Sequence, residues 1–278
     1  MQKRRGTPTG RPGTIPMLPG HEPSAGAVGP GIPRLLVSVT GLEEAREAIT
    51  CGVDIIDLKD PSLGSLGACE PSVLRAVAGL SGGAVPSAGR YLISAAIGDA
   101  GYQPGTYALA AAGAAACGVD FIKIGLLGTP GARQARALLG AVVRAALSVS
   151  PAVRVIAAAY ADAEEIGALP CDRLVAVTAA AGAHGCLIDT FNKDGRTLFD
   201  HLDPPRLSEL VAQARRHRLV IGLSGSLGAA DLPLLRAIGP DLIGVRGAAC
   251  EGGRQGRLDA RRLNALRGAL RAPVITLA

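Results

Sequence analysis

From residue 34 onward, short runs of contiguous apolar and β-branched residues alternate with longer stretches whose apolar positions recur every three or four residues. The short runs, 35–39, 53–59, 91–97, 119–125, 153–160, 186–190, 219–224 and 241–247, predict strands. Their nearly unbroken apolar character is that of parallel strands covered on both faces. The stretches between them predict helices over 42–51, 70–80, 105–117, 131–148, 162–183, 205–217, 229–238 and 259–270, the fifth broken near Pro170. Eight strand–helix units in sequence specify a single α/β domain, a closed (β/α)8 TIM barrel, better than an open doubly wound sheet.

A short internal repeat agrees with this. GVDIIDLK (52–59), GVDFIKIG (118–125) and GPDLIGVR (239–246) share Gly-x-Asp followed by an apolar pair. The glycine fits a left-handed helix end and the aspartate opens the next strand. The repeat speaks to fold and carries no chemistry.

The first 32 residues break the pattern. They are rich in Pro and Gly and have no apolar periodicity, so a disordered extension (1–32) precedes a catalytic barrel over 33–278. A basic start at Lys3, Arg4 and Arg5 is followed by no apolar segment of signal-peptide type. No uninterrupted apolar run is long enough for a membrane span. The six cysteines are scattered without a CxxC pair, and the four histidines show no metal-ligand spacing. A cytoplasmic protein without metal, cofactor or disulfide framework is expected. The net charge of +6 admits nucleic acid, anionic small molecules or a solvated surface. Aromatics at 3% disfavour stacking on single-stranded nucleic acid, and the arginines fall on helices, as a solvated face would have them. The Ala-rich helices offer surfaces that could pack between subunits, and a homo-oligomer is expected.

One compositional fact points to chemistry. Of 29 basic residues only Lys3, Lys59, Lys123 and Lys193 are lysines. Arginine serves as the general cation, and arginine cannot lose its proton to become a nucleophile or base. Three of the four lysines fall at the C-terminal ends of predicted strands, where barrels of this kind place their active sites. A lysine there, beside apolar walls and other cations, has a lowered pKa and can attack a carbonyl. The plain alternative is a lysine that snorkels to a loop or pairs with a carboxylate. Asp57 precedes Lys59 by two residues and shares its face of the strand, as a supporting group or a simple ion-pair partner. Asp189 ends the sixth strand, and Lys193 follows four residues later, so Asp189 can move protons or hold a lysine. Asp60, Asp99, Asp194 and Asp200 fall in loops, where turn capping is the expected role.

The last two strands lead into small-residue loops, LSGSL (223–227) and VRGAA (245–249). Barrels commonly bind phosphate at this place through main-chain N–H groups and a short helix start. Ser224, Gly225, Ser226, Arg246 and Gly247 are the candidate ligands. GGRQGR (252–257) reads as a solvated loop, or as a second anion contact through Arg254 or Arg257. The residues alone therefore describe a phosphate-binding barrel with an amine nucleophile, suited to carbon–carbon bond formation or dehydration on a phosphorylated aldehyde or ketone.

Several stretches together resemble the (5-formylfuran-3-yl)methyl phosphate synthase family, also called 4-(hydroxymethyl)-2-furancarboxaldehyde phosphate synthase. They are EEAREAITCGVDIIDLKDPSLGSLGA (43–68), SAAIGD (94–99), YQPGT (102–106), GVDFIKIGL (118–126), AAAYADA (157–163), IDTFNKDGRTLFD (188–200), LSGSL (223–227) and GVRGAAC (244–250). The resemblance implies condensation of two glyceraldehyde 3-phosphate molecules to a furan bearing an aldehyde and a phosphomethyl group. Phosphate and water are lost, and the product feeds methanofuran in methanogens or its methylotroph analogue, methylofuran. It implies a Schiff-base lysine at Lys59, a proton-transferring lysine at Lys123, and an acid–base pair at Asp189 and Lys193. The Arg- and Ala-rich composition suggests a GC-rich bacterial source, and the extension lies outside the resemblance. Two other readings stand beside it: a class I aldolase of the deoxyribose-phosphate type, and a barrel that binds triose phosphate without catalysis.

Overall fold

The computed structural model describes residues 31–82, 91–99 and 101–272. The predicted extension therefore lies outside the described residues, apart from its last two positions. Eight strands close into a parallel barrel in chain order. They are β1 (Arg34–Val39), β2 (Ile55–Leu58), β3 (Leu92–Ala96), β4 (Phe121–Gly125), β5 (Arg154–Tyr160), β6 (Gly185–Asp189), β7 (Val220–Leu223) and β8 (Leu242–Val245). The outer layer comprises α1 (Leu42–Thr50), α2 (Pro71–Ala78), α3 (Pro104–Ala116), α4 (Ala132–Val149), α5 (Ala163–Ile166), α6 (Cys171–Ala180), α7 (Pro204–Arg216), α8 (Leu232–Ile238) and α9 (Ala260–Arg271). The predicted break at Pro170 separates α5 from α6. One element has no counterpart in the sequence reading. The 252–257 stretch belongs to a small hairpin, β9 (Cys250–Glu251) paired with β10 (Arg257–Leu258), with 252–256 as its turn.

The strands sort their residues by alternation. In β4, Ile122 and Ile124 join the core between sheet and helices, while Phe121, Lys123 and Gly125 face the barrel axis. The lower axis is filled by the buried side chains of Leu36, Ile55, Leu92, Phe121, Ile156, Leu187 and Leu242. The upper axis is polar: Ser38, Asp57, Lys123, Asp189 and Ser224. The helices turn small or aliphatic stripes inward. In α4 these are Ala135, Leu138, Leu139, Val142, Val143 and Ala146, the three-and-four spacing of an amphipathic helix. α7 and α9 start on Asp203 and Asp259, whose carboxylates accept the Arg206 and Arg262 N–H groups.

The Gly-x-Asp repeat has a structural purpose that its spacing does not reveal. Gly52, Gly118 and Gly239 turn the chain with φ of +70°, +84° and +75°. Each following aspartate then accepts a main-chain N–H from the preceding strand: Asp54 from Leu35, Asp120 from Ile93, Asp241 from Ile221. His184 does the same for Val155 through Nδ1. These side chains fasten neighbouring strands at the face away from the site.

Gly125 is required by close approach. A methyl group there would overlap the Tyr160 hydroxyl and the Asp99 side chain, both buried. Gly125→Ala is expected to destabilise the barrel by about 1–3 kcal/mol, measured as a lower midpoint of denaturant unfolding with unchanged slope.

Candidate functional site

At the C-terminal ends of the strands lies a cavity of about 390 Å³, within the usual range for small-molecule sites. Leu36 and Leu187 contribute apolar wall, and Asp57, Lys59, Lys123, Asp189 and Lys193 all line it. The lysines expected at strand ends are therefore brought together. Lys59 is the first residue past β2, Lys123 the middle residue of β4, and Lys193 a loop residue after β6.

The three ammonium groups have different partners. Lys123 Nζ donates to Asp57 Oδ2 at 2.5 Å, and Ser38 Oγ donates to the same oxygen at 2.9 Å. The other oxygen, Asp57 Oδ1, is buried and accepts no hydrogen bond among the described residues. Lys193 Nζ donates to Asp189 Oδ1 and to Thr190 Oγ1, both at 2.9 Å. Lys59, buried at 7% exposure, donates only to the Ser65 carbonyl oxygen at 3.2 Å among the described residues. Burial lowers the Lys59 pKa to about 8; the attraction of Asp189 and Asp57 opposes this, and the repulsion of Lys123 and Lys193 adds to it. Burial alone would raise the Asp189 carboxyl. The cations of Lys193 and Lys59, with the Lys193 and Thr190 hydrogen bonds, instead hold it well below the usual carboxylate range.

Loops around the mouth fix these groups. The β2–α2 loop carries Ser65, and its Leu66 N–H donates to Asp99 Oδ2, which also accepts the Tyr160 hydroxyl. Asp162 accepts the N–H groups of Phe191 and Asn192 at 2.8 Å and so pins the chain between Asp189 and Lys193. Arg196 spans the rim in a bidentate pair with Glu165. Sequence reasoning assigned no role to Ser38, Ser65 or Asp162, and gave Asp99 only a turn-capping one. Asp99 and Asp162 do lie within SAAIGD and AAAYADA, two of the stretches that carry the family resemblance.

The loop residues expected to bind an anion lie at the cavity. Ser224, Gly225, Ser226 and Gly228 line the cavity beside Gly247 and Ala248. Gly225 and Ser226 both have positive φ, +117° and +53°. A side chain at Gly225 would press on Thr190, so glycine is needed there. The N–H groups of Ser226 and Leu227 find no acceptor among the described residues. Arg246 departs from its expected task. It stays in the cavity wall, but its guanidinium spends all five N–H donors on protein: Glu44 twice, and the carbonyls of Ser38, Arg254 and Gly256. It rivets the hairpin and α1 to the end of β1 and has no N–H left for a further acceptor. Arg254, on the hairpin turn, lines the cavity instead. Arg257 does not: it is about nine-tenths exposed and paired with Glu43. Among the described residues no group of three or more His, Cys, Asp or Glu side chains could hold a metal ion. None of the helices there is long and apolar enough to cross a membrane.

The profile of the family described as 4-HFC-P synthase matches residues 35–267. A protein named (5-formylfuran-3-yl)methyl phosphate synthase from Methanothermobacter thermautotrophicus is 46% identical over 219 residues, 79% of this chain and 90% of that protein. Its namesake from Methanocaldococcus jannaschii is 44% identical over 227 residues, 81% and 94% of the two chains. Among solved structures, KGPDC from Streptococcus mutans in complex with D-R5P superposes with a TM-score of 0.60 at 16% identity, over 86% of this chain and 98% of that one. 3-Hexulose-6-phosphate synthase superposes with a TM-score of 0.53 at 20% identity, over 84% and 99%. These two likenesses speak to the fold alone.

The lowered pKa of Lys59 has a measurable sign. Its folded value near 8 lies below the unfolded value near 10.5, so between those pH values the unfolded chain binds the extra proton. Lys59 therefore adds stability as pH rises through that window and subtracts it below. The same titration governs reactivity. Competitive reductive methylation read by mass spectrometry should label Lys59 about tenfold faster per pH unit up to about pH 8, then level off. A rate still climbing beyond pH 10 would contradict the assignment.

Proposed function

The chain belongs to the 4-HFC-P synthase family, and we propose that it condenses two glyceraldehyde 3-phosphate molecules into (5-formylfuran-3-yl)methyl phosphate through a Schiff base on Lys59. The observation that carries this reading is the Lys59 amine: buried, without a carboxylate hydrogen bond among the described residues, and facing a cavity that holds two lysine–aspartate pairs. With a pKa of about 8, about one such amine in ten is uncharged at pH 7, against roughly a few in ten thousand for an ordinary lysine.

The neutral amine adds to the aldehyde carbon of one triose, and water leaves to give a protonated imine. The imine makes the neighbouring C2–H acidic. Once that proton is removed, the electron pair returns through C2 and expels the C3 phosphate with its C–O bonding electrons. C3 is then electrophilic. The second triose, deprotonated at its own C2, attacks that carbon and forms the new carbon–carbon bond. The C2 oxygen of the first triose closes on the second aldehyde, two hydroxyls depart as water, and hydrolysis of the imine returns Lys59. The balance is one inorganic phosphate and two waters per furan. Three C–H protons must leave, the C2 proton of each triose and one from C3 of the first, and two acid–amine pairs are available to move them: Asp57 with Lys123, and Asp189 with Lys193. The Ser224–Gly228 loop, with Gly247, offers main-chain N–H groups to a substrate phosphate. A cytoplasmic setting and an association between copies of the chain accompany this reading.

The decisive experiment combines borohydride reduction with product analysis. Glyceraldehyde 3-phosphate and borohydride should leave a reduced triose adduct on Lys59, located by peptide mass spectrometry. Without borohydride, a furan aldehyde absorbance and inorganic phosphate should grow together. Lys59→Ala should lose adduct and product alike, and Asp189→Asn should lower turnover by about 10²- to 10⁴-fold. A product that keeps both phosphates would mark an aldolase. Binding with neither adduct nor product would mark a barrel that only binds triose phosphate.

A further inference from the structure

We propose that Arg254 is a second phosphate-binding residue, which takes the phosphate monoester of a triose from the β9–β10 hairpin, apart from the main-chain loop at Ser224–Gly228. The inference rests on the triose-phosphate reading and deepens it.

Five cationic side chains line the cavity: Lys59, Lys123, Lys193, Arg246 and Arg254. Three are neutralised by a carboxylate. Lys123 pairs with Asp57, Lys193 with Asp189 and Arg246 with Glu44. Lys59 is the amine that must shed its charge. Arg254 is the remaining member and cannot shed its charge. Among the described residues it has no carboxylate within ion-pair distance, although it is partly buried. It donates one hydrogen bond, from Nη2 to the Gly64 carbonyl at 2.8 Å. The other four N–H groups have no acceptor among the described residues, in contrast to Arg246, which has committed all five. None of the unbonded Arg254 nitrogens is buried, so they stay open to the cavity and its solvent, where an anion can take them without first breaking a protein ion pair.

The substrates supply such an anion twice. Each triose carries a doubly charged phosphate, and neutral main-chain amides on a single loop suit one of them. A guanidinium grips phosphate through two parallel N–H bonds, a geometry an ammonium cannot offer. The location matters as well. Arg254 holds the Gly64 carbonyl, and Lys59 holds the next carbonyl, that of Ser65. The β2–α2 loop therefore fixes both the Arg254 guanidinium and the reacting amine through adjacent carbonyls, which sets where a phosphate on Arg254 would lie relative to Lys59.

The test titrates inorganic phosphate by calorimetry into the wild type and into Arg254→Ala, Arg254→Lys and Arg257→Ala, with KM and kcat measured on glyceraldehyde 3-phosphate. The wild type is expected to bind phosphate at two sites, and Arg254→Ala at one. Its KM should rise about tenfold to a hundredfold, with a smaller effect on kcat. Arg254→Lys should recover part of the loss, and Arg257→Ala should behave as wild type. If Arg254→Ala keeps both phosphate sites and loses only thermal stability, the arginine is merely a strap and the proposal is overturned. Should the alanine variant not fold by circular dichroism, Arg254→Lys and Arg254→Gln decide by the same criterion. Failure of borohydride trapping on wild-type Lys59 would sink the condensation reading, while the phosphate titration would still decide Arg254.

Discussion

Three ammonium groups share two carboxylates inside a ring of strands, and that imbalance governs the site. In an apolar interior each charge must be matched or given up. Asp57 takes Lys123 and Asp189 takes Lys193, both within hydrogen-bond distance. Among the described residues the third amine has only a carbonyl, that of Ser65. Its neighbours act on it at longer range with opposing signs, and burial is the largest influence. The same arrangement that leaves Lys59 inclined to be neutral keeps Asp189 ionised beside it. The pairings thus single out Lys59 as the one of the three amines that has no carboxylate hydrogen bond among the described residues.

The surrounding scaffold can be understood as support for that choice. Asp99 and Tyr160 tie the Lys59 loop to β5, and Gly125 is small because those two side chains occupy the space beside it. Asp162 fixes the turn that brings Lys193 back to Asp189. Arg246 and Glu44 form an ion pair buried under the hairpin. Burial would raise the Glu44 carboxyl, but Arg246 and the Thr40 and Leu258 N–H groups hold it low. A buried pair of this kind is a poor source of net stability, yet removing either half leaves a charge stranded. Its use here is to fix the place of a loop.

Much of this was legible in the chain. Eight apolar runs and their intervening amphipathic stretches predicted the barrel, because buried parallel strands leave an unmistakable apolar record. The scarcity of lysine singled out Lys59, Lys123 and Lys193, because only lysine among the strong cations has a proton to give. Three things were not legible. The hairpin at 250–258 is too short, and its turn too rich in glycine, to show a strand period. The Asp54, Asp120 and Asp241 staples depend on which strand lies alongside. The contrast between Arg246 and Arg254 depends on a count of acceptors around each guanidinium, and that count exists only once distant segments, such as Ser38, Glu44 and Gly64, have come together.

That last contrast shows how a fold redistributes chemistry among identical side chains. Arg246 sits at a strand end, where the architecture leads one to expect a phosphate ligand. The hairpin that follows it curls back and brings two acceptors, the carbonyls of Arg254 and Gly256, to the Arg246 guanidinium, while α1 and β1 supply the Glu44 carboxylate and the Ser38 carbonyl. Once these are satisfied, that residue has nothing left to offer a ligand. The same curl carries the Arg254 side chain over the cavity with four donors unspent. The guanidinium with donors to spare thus lies eight residues further along the sequence, on the wall of the same cavity. Position in the chain names the candidates; saturation of their hydrogen bonds selects among them.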